Sequence, residues 1–353
     1  MKTVVYKMDP EHPDQQAVKA AAEVIRRGGL VAFPTETVYG LGANALDGTA
    51  VNSIFAAKGR PHDNPLIVHV ARIEQVKPLV TEVSPTAELL MKRFWPGPLT
   101  LLFPKSDLVP PEVSAGLDTV AIRMPRHKVA LSLILESGLP IAAPSANSSG
   151  RPSPTLARHV LEDLEGRIDV VLDGGPTGIG VESTVLDITS TPAVVLRPGG
   201  VTLEQLQEVL GENSVKLHEA VLHPSRSPKK VTSPGMKYKH YAPRAEVLLV
   251  SGNLPDVVRR VTQLAYEMAA AGKKVGILAC AETAHLYPPE FKVLQTGSRD
   301  ALEEVAASLF SRLREFDELG MDVIVAEAYP EKEMGVAVMN RLIRAAAGRL
   351  IRA

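Results

Sequence analysis

The sequence predicts an α/β protein with two domains: an N-terminal twisted mixed sheet with flanking helices (α+β) and a smaller C-terminal parallel sheet. The length of 353 residues is enough for two domains of ordinary size. In residues 1–211, apolar strand-like runs outnumber the helices that could cross between them, which favours a mixed sheet. After residue 245, strands and helices alternate regularly, as is typical of a parallel sheet. We therefore expect one domain over 1–211, a linker over 212–244 and a second domain over 245–353.

Composition and charge exclude several classes of protein. Apolar residues make up 45% of the chain and charged residues 22%, which are globular values. The net charge of −1 gives no general attraction to nucleic acid, so any RNA contact requires a local patch. The one cysteine, Cys280, lies in an apolar run and is expected to be a buried thiol, which excludes a disulfide framework. Neither a signal peptide nor a bilayer-spanning apolar run is apparent, so we expect a cytoplasmic protein without membrane contact.

Hydrophobic periodicity and start and stop signals predict the elements of the first domain. Gly28–Gly29 ends an amphipathic helix, and Pro34 ends the strand that follows. Asp47 or Thr49 can cap the next helix, and Ser84–Pro85 begins another. The predicted helices are 14–27, 47–59, 84–93, one from Thr155, and 202–210; the predicted strands are 29–33, 66–70, 99–103, 119–125, 141–144, 168–172, 182–186 and 192–197.

The stretch after the strand 29–33 concentrates groups that suit a phosphate ligand. It contains the hydroxyls of Thr35 and Thr37, a predicted tight turn over 39–42, and Lys58 and Arg60 on a predicted turn after the helix. Two cations beside glycine suit a triphosphate, because glycine lets backbone N–H groups approach the phosphate oxygens. The alternative interpretation is a solvated helix C-terminus, where Lys and Arg are favoured in any case.

Two predicted strands contain polar side chains that need an explanation. Alternation places Arg123 on the same face as Thr119, and a buried arginine needs a partner or a ligand. The alternative is an edge strand with Arg123 in water. His69 lies inside another apolar strand, either as a satisfied core residue or as a ligand contact. The small hydrogen-bonding side chains of the loop 145–152 either turn the chain or contact a polar ligand.

The remaining patterns exclude several kinds of site. The glycine-rich loop 174–180 lacks G-x-G-x-x-G and precedes a strand, so it does not indicate a nicotinamide site. The spacing of the nine histidines and one cysteine fits no zinc site, and neither a nucleophile elbow nor a Walker loop is present. The cations Lys58, Arg60, Arg123 and Arg197 are interleaved with hydroxyl and amide groups. This inventory suits one polyphosphate, one small carboxylate and a reaction that relies on positioning and charge neutralisation, such as nucleotidyl transfer.

The amino-acid pattern changes between His218 and Arg244. Residues 226–244 contain six Lys or Arg and no acid, without periodicity, which indicates a linker. Its end, 236–243, combines aromatic and cationic residues that suit closure over a nucleotide; the alternative is a basic solvated strap. The C-terminal part reads as a Rossmann-like α/β domain without a phosphate loop, and we interpret it as a regulator, a lid support or an assembly surface. Its predicted strands are 247–250, 275–279 and 322–326, and its predicted helices 256–271, 299–319 and 335–351.

Four separate motifs resemble those of the YrdC-type threonylcarbamoyl-AMP synthases. They are Pro34-Thr35-Glu36-Thr37-Val38-Tyr39-Gly40-Leu41, Lys58-x-Arg60-Pro61 with Asn64-Pro65-Leu66, Pro144-Ser145-Ala146-Asn147-x-Ser149-Gly150, and Glu182-Ser183-Thr184-Val185. This likeness covers roughly residues 10 to 210. The stretch 239–243 and the α/β unit after it are similar to the long, two-domain form of the family. The resemblance implies a YrdC-like first domain that is catalytic and a linker that closes over its active site.

The resemblance also implies a reaction and its residues. L-Threonine, bicarbonate and ATP would give threonylcarbamoyl-AMP and pyrophosphate, with Mg²⁺ expected to share the phosphate charge. The resemblance assigns no side chain with certainty to catalysis and none to metal binding. Lys58 and Arg60 would act by positioning and charge neutralisation. Arg123 would clamp the threonine carboxylate, and Tyr241 would close from the linker. ATP would be bound by Lys58, Arg60, Asn64, Thr119, Ser145, Asn147, Ser153, Arg197 and Tyr241, and threonine by Thr35, Thr37, His69, Arg123, Ala143 and Ser183.

The product would pass to a tRNA threonylcarbamoyl transferase complex for modification of position 37, and a weak direct contact with tRNA is open. An alternative function is a non-catalytic module that binds double-stranded RNA or tRNA, although an aromatic content of 4% leaves few stacking platforms. Another is a carbamoyl-phosphate-handling protein of the hydrogenase-maturation type, against which the lack of zinc-finger cysteines argues.

Overall fold

The computed structural model describes residues 2–222 and 241–353, and these fall into two compact units. The first comprises residues 2–149 and 153–222, and the second comprises 150–152 and 241–353. The first unit thus continues past residue 211, where the sequence predicted that a linker begins. The aromatic and basic linker residues 236–240 lie outside the described residues.

The first unit contains helices and strands in irregular alternation. Their bounds are β1 (Val4–Lys7), α1 (Gln15–Arg26), β2 (Val31–Phe33), β3 (Gly40–Asn44), α2 (Gly48–Lys58), β4 (Ile67–His69), α3 (Pro85–Phe94), β5 (Leu99–Pro104), α4 (Pro111–Ser114), β6 (Thr119–Arg123), α5 (Lys128–Ser137), β7 (Ile141–Ala142), α6 (Ala157–Leu164), β8 (Val170–Asp173), β9 (Thr184–Asp187), β10 (Ala193–Arg197), α7 (Leu203–Leu210), β11 (Val215–Leu217) and α8 (Glu219–Leu222).

The strands of residues 2–222 form one mixed sheet, as predicted. Their order is β1-β8-β2-β3-β7-β4-β6-β5-β9-β10-β11. Neighbours pair in parallel at β4 and β6 but antiparallel at β5 and β6, and again in parallel at β5 and β9. The antiparallel pairs explain why the strands outnumber the crossover helices, because an antiparallel neighbour needs no helical crossover.

Helix boundaries follow the capping chemistry that the sequence indicates. The Asp14 side chain accepts hydrogen bonds from two backbone N–H groups at the start of α1, and Asp47 does the same for α2. Ser84 caps α3, whose first residue is Pro85. Gly59 ends α2 in the left-handed conformation, with φ of 62°, which favours glycine.

The two faces of the sheet differ in what covers them. One face packs the largest apolar cluster, with α2 and α3. The other face is covered at one end by α1 and α5, and at the other end by a small apolar cluster to which α8 contributes Ala220. Because side chains alternate along a strand, His69, Arg123 and Thr100 share this second face with Ile67 of the small cluster. The candidate site therefore lies between two apolar patches of one face.

Three predictions for the first unit are wrong. The expected tight turn over 39–42 is part of β3, which pairs with β2 and β7. Glycine is required there for room rather than for turning, since a Cβ on Gly42 would lie 2.7 Å from atoms of both Phe33 and Ile141. Residues 212–222 are not linker, because β11 pairs with β10. The helix expected from Thr155 begins two residues later as α6.

The second unit, over residues 241–353, has a fully parallel five-stranded sheet in the order β14-β13-β15-β12-β16, which confirms the predicted parallel architecture. Its elements are β12 (Glu246–Ser251), α9 (Leu254–Ala270), β13 (Val275–Ala279), β14 (Lys292–Gln295), α10 (Leu302–Glu318), β15 (Val323–Glu327), α11 (Met334–Ala345) and β16 (Leu350–Arg352).

The C-terminal helix is shorter than predicted. It ends at Ala345 rather than Ile351, because Ala347 and Gly348 take positive φ and turn the chain. The last residues then form β16 beside β12, a strand that the sequence did not indicate. Cys280 is buried and not in a disulfide, as expected. No helix in the described part of the chain is both long and apolar enough to cross a membrane.

Candidate active site

Arg123 lies buried at the end of β6 with its guanidinium directed into a polar group of side chains. It is 3% exposed, so the alternative of an edge strand in water is wrong. Its NH2 donates to Glu36 Oε2 at 2.5 Å, its NH1 donates to Thr37 Oγ1 at 2.9 Å, and its Nε donates to the Gly97 carbonyl at 3.2 Å. A buried arginine was expected to need a partner or a ligand, and Glu36 is that partner.

The loop after β2 is held in shape by Thr35. Its hydroxyl accepts the backbone N–H groups of Thr37 and Val38, at 3.1 and 3.2 Å, and donates to the Val38 carbonyl at 2.6 Å. The hydroxyls of Thr35 and Thr37 are 2.8 Å apart. Thr35 therefore fixes the loop, and Thr37 connects it to Arg123.

The glycine-rich loop 174–180 supports the same segment from the other side. The Ile179 N–H donates to the Glu36 carbonyl at 2.7 Å, and the Gly180 N–H donates to the Thr37 carbonyl at 3.1 Å. These bonds explain a glycine-rich loop that lacks the dinucleotide pattern: its backbone pairs with the site loop.

Ser183 connects Arg197 to Thr100 of β5. Arg197 Nε donates to the Ser183 carbonyl at 3.0 Å, and its NH2 donates to the Ser183 hydroxyl at 3.1 Å. The same hydroxyl lies 2.8 Å from that of Thr100 on β5. Ser183 and Arg197 are both buried, at 1% and 7% exposed. A Cβ on Gly199 would lie 2.2 Å from the Glu182 carbonyl oxygen, so only glycine allows this close packing.

The prediction that Lys58 sits on a turn is wrong. Lys58 is the last residue of α2 and is 3% exposed, and its ammonium group donates to the carbonyls of Ser145 and Asn147. The Ser145 hydroxyl in turn donates to Asn147 Oδ1 at 2.5 Å. The loop 145–152 therefore does more than turn the chain: its carbonyls hold a buried cation. Arg60 is half-buried and donates to carbonyls just after it in the chain.

Backbone pairing brings the Lys58 group close to the loop after β2. Gly40 forms an antiparallel bridge with Ser145. The Leu41 N–H donates to the Pro144 carbonyl, and the Ala146 N–H to the Tyr39 carbonyl, both at 2.8 Å. Backbone hydrogen bonds thus join the two loops that contain predicted ATP-binding and threonine-binding residues.

The other predicted residues have varied surroundings. Asn64 is buried beside β4, Ser153 is buried with its hydroxyl bonded to Glu182, and the Ala143 N–H donates to the Ile67 carbonyl at 2.9 Å. Thr119 begins β6 and is half-buried. Tyr241 belongs to the second unit, where it has a left-handed backbone and lies between Phe310 and Arg341, with ring centroids 5.3 Å apart and the Arg341 guanidinium 5.3 Å from its ring.

Several polar side-chain atoms of the first unit are buried without a hydrogen-bond partner among the described residues, and three of them lie in segments of the candidate site. These three are Glu36 Oε1, Asn64 Oδ1 and His69 Nδ1. Such atoms are rare in folded proteins, because each loses its hydration without replacement. All three belong to the loop after β2 or to the ends of β4. A polar ligand at this place would supply the missing partners.

His69 is held neutral by its surroundings. Burial lowers its pKa to about 3, and the nearby positive charge of Arg123 acts in the same direction. The ring is 4% exposed and meets Phe33 edge to face, with centroids 6.1 Å apart. A neutral imidazole with a vacant nitrogen can accept or donate one hydrogen bond, so His69 suits a hydroxyl or an amine better than a phosphate.

Sequence reasoning did not single out Glu36 and Thr100 as site residues. A signal for Glu36 was present, since a predicted buried arginine requires an acid and Glu36 stands between two predicted site threonines. No comparable signal exists for Thr100, which acts through the pairing of β5 with β9. In the described part of the chain, no group of three or more His, Cys, Asp or Glu side chains could hold a metal ion.

Comparisons with known proteins identify the family of this chain. A family model described as "Telomere recombination" matches residues 23–199, and one described as "Threonylcarbamoyl-AMP synthase, C-terminal domain" matches residues 201–347. A threonylcarbamoyl-AMP synthase of Pyrococcus abyssi is 53% identical over 342 residues, which are 97% of each chain. One of Bacillus subtilis is 53% identical over 340 residues, which are 96% of this chain and 95% of that one.

A solved structure extends the likeness to three dimensions. The crystal structure of P. abyssi Sua5 complexed with L-threonine superposes with a TM-score of 0.93 at 51% identity, and covers 99% of this chain and 100% of that one. The matches span both units, and they confirm the resemblance drawn from the sequence motifs. The chain therefore belongs to the threonylcarbamoyl-AMP synthase family.

Proposed function

We propose that this protein joins L-threonine, bicarbonate and ATP to give L-threonylcarbamoyladenylate and pyrophosphate. Family membership at 53% identity over nearly the whole chain supports the activity. The observation that carries the proposal is the buried Arg123 between two apolar clusters of one sheet face, beside hydroxyls and buried polar atoms that lack partners among the described residues. A basic surface for RNA would need exposed cations, whereas Arg123, Lys58 and Arg197 are all buried.

The threonine site is proposed around Arg123. Its guanidinium receives the substrate carboxylate, for which the planar fork of arginine is well suited. Thr37, Ser183 and neutral His69 face the amino and hydroxyl side of the substrate. The Thr35 hydroxyl fixes the conformation of the loop through its backbone hydrogen bonds. The backbone of Ala143 borders the site next to Ile67. Valine lacks the hydroxyl, so it would leave these buried polar groups unpaired and should be rejected.

The ATP site is proposed along the loops that Lys58 holds together. The buried ammonium group offers a fixed positive charge next to two loops, which suits stabilisation of a negative transition state without rearrangement. The proposed ATP residues are Lys58, Arg60, Asn64, Thr119, Ser145, Asn147, Ser153, Arg197 and Tyr241. We further propose that Mg²⁺ enters bound to the triphosphate, where it would neutralise charge on the pyrophosphate.

The reaction follows from this arrangement. The threonine amine and bicarbonate form a carbamate with loss of water, and a carbamate oxygen then forms a bond to the α-phosphorus while the bond from that phosphorus to pyrophosphate breaks. Arg123 holds one end of the amino acid, and Lys58 and Arg197 hold the nucleotide, so the barrier falls mainly through orientation and charge neutralisation. The product is a hydrolysable mixed anhydride, and a closed site would protect it from water.

We propose that residues 1–211 form the catalytic domain, that the linker ending at residue 244 closes over it, and that residues 245–353 support this closure. The product would pass to a tRNA threonylcarbamoyl transferase complex in the cytoplasm.

The test is pyrophosphate release by the full chain with ATP and Mg²⁺, with threonine and bicarbonate added singly and together. We expect release only when both are present, and a nucleotide product whose mass equals that of threonylcarbamoyladenylate. A protein that binds RNA and releases no pyrophosphate under these conditions would overturn the proposal. Valine in place of threonine is the matched control.

A further inference from the structure

We propose that Glu36 recognises the amino group of the amino-acid substrate, so that Arg123 and Glu36 together read a zwitterion. The inference rests on the proposed function, and specifically on Arg123 as the group that holds the substrate carboxylate. It adds a specificity-determining residue to that site.

Glu36 has one oxygen more than its pairing with Arg123 uses. The ion pair joins Glu36 Oε2 to Arg123 NH2 at 2.5 Å, and the residues are 8% and 3% exposed. Glu36 Oε1 is also buried, yet it has no hydrogen-bond partner in the described ranges 2–222 and 241–353. A buried, unsatisfied charged oxygen is costly, and a partner for Arg123 needs no second oxygen at this place. The vacant oxygen therefore indicates a donor that comes from a ligand.

The backbone of Glu36 is fixed, so its carboxylate must stay near Arg123. Its carbonyl accepts the Ile179 N–H at 2.7 Å, and the next residue is bonded through both its N–H and its carbonyl. The carboxylate can adjust only by rotation of its side chain. Such rotation keeps Oε1 close to any molecule that docks on the guanidinium.

Arg123 has donors left for such a molecule. An arginine has five N–H groups, and Arg123 uses one each on Nε, NH1 and NH2 for Gly97, Thr37 and Glu36. One N–H on each terminal nitrogen is therefore without a partner among the residues that the structure describes. In an α-amino acid the carboxylate and the ammonium group are attached to the same carbon. A carboxylate that accepts these two donors thus brings its own ammonium group to the Glu36 carboxylate.

Among the described residues, Glu36 is the buried carboxylate that is paired with Arg123, and the groups around it do not compete for an ammonium group. Burial lowers the pKa of His69 to about 3, so this ring is neutral, and burial also lowers the pKa of His127, against the charge of Glu36. Glu182, a buried carboxylate next to Ser183 in the chain, accepts the hydroxyl of Ser153, and Asp163 accepts the backbone N–H of Ser148. An ammonium group taken out of water without an anion would bind poorly, and Glu36 supplies that anion.

The experiment measures binding to the full chain by calorimetry with two ligands. One is L-threonine, and the other is 2,3-dihydroxybutanoate, in which a hydroxyl replaces the ammonium group. The variants are Glu36→Gln, which keeps the shape and removes the charge, and Glu327→Gln, a buried carboxylate of the second unit, as the control. Nucleotide binding is measured in parallel.

We expect Glu36→Gln to weaken threonine binding about 10- to 100-fold, the range for a lost hydrogen bond to a charged group. Binding of 2,3-dihydroxybutanoate and of nucleotide should stay within about threefold, because neither uses the Glu36 charge. Glu327→Gln should leave the affinity for both ligands unchanged. An equal loss for both ligands in Glu36→Gln would overturn the proposal, since it would mean that Glu36 merely orients Arg123.

Two further results keep the test decisive if Glu36→Gln does not fold. The unaltered protein should bind threonine at least about tenfold more tightly than 2,3-dihydroxybutanoate, and equal affinities would overturn the proposal. Glu36→Asp should retain that preference, since it keeps the charge. Failure of the proposed function has a different signature: the unaltered protein would not bind threonine, or Arg123→Ala would bind it normally.

Discussion

Replacing Arg123 with alanine tests the site and the stability of the fold together. The change removes the cationic partner of Glu36 Oε2, and Glu36 is only 8% exposed in the unaltered protein, where its Oε1 already lacks a hydrogen-bond partner among the described residues. Breaking a buried ion pair by removing one member costs about 3–5 kcal/mol, because the other charge stays buried and uncompensated. We therefore expect Arg123→Ala to lower the free energy of unfolding of the first unit by about that amount at pH 7.

The double variant Arg123→Ala/Glu36→Gln separates the charge from the packing. It also removes the carboxylate that would otherwise be buried without a counter-ion. Its free energy of unfolding should therefore be about 2 kcal/mol higher than that of Arg123→Ala alone. Threonine-dependent pyrophosphate release should be absent from both variants, while nucleotide binding stays close to that of the unaltered protein. Stability would recover without activity, which a purely structural role for Arg123 does not predict.

The assay is urea unfolding followed by tryptophan fluorescence. The chain has one tryptophan, Trp95, which is buried in the first unit with its indole N–H bonded to the Leu99 carbonyl at 2.7 Å. Its emission therefore reports on the unit that contains the ion pair. The reasoning is refuted if Arg123→Ala unfolds at the same urea concentration as the unaltered protein, or if it loses ATP binding and threonine binding equally.

Three other predictions concern separate parts of the site. Lys58→Met should lower the rate of pyrophosphate release about 100-fold while sparing threonine affinity, because the fixed charge near the nucleotide is lost; a matching fall in threonine affinity would count against this role. His69 has a folded pKa of about 3, below the unfolded value of about 6.5, so its contribution to stability is complete above pH 6.5 and is lost as the pH falls toward 3. Between pH 7 and pH 5 the free energy of unfolding should therefore fall by about 2 kcal/mol more in the unaltered protein than in His69→Asn. If the stability of the two proteins depended on pH in the same way, the neutral, buried ring would be disproved. Gly199→Ala places a Cβ 2.5 Å from the Ser183 carbonyl carbon and should cost about 1–3 kcal/mol with weaker threonine binding, whereas Gly116→Ala, where a Cβ meets nothing within 4 Å, should leave threonine binding unchanged.

Much of the architecture could be predicted because local signals agreed with it. Asp14 and Asp47 mark helix starts by chemistry that operates within four residues, and the alternation around Arg123 placed it on the correct face. The mixed sheet followed from counting strands against helices. These features depend on neighbours in sequence, which a single chain displays directly.

The misses depend on distant partners. Gly42 was predicted to lie in a turn, yet it lies in strand β3. Glycine is needed there because Phe33 and Ile141 occupy the space that a side chain would fill. The sequence predicted Lys58 on a turn, yet it is buried and donates to two carbonyls about ninety residues away in the chain. The strand β16 exists only because β12 offers it an edge. Glu36 was visible in its motif, but its importance depends on Arg123, which follows 87 residues later.

Alkylation of Cys280 can report how fast the second unit opens, independently of the first unit. Burial raises the pKa of Cys280 to about 11, so at neutral pH the sulfur is both shielded from reagents and a poor nucleophile. Alkylation should then proceed only at the rate at which the parallel sheet opens. With a single indole in one unit and a single thiol in the other, the unmodified chain can report the melting of each half separately, without labels or truncation.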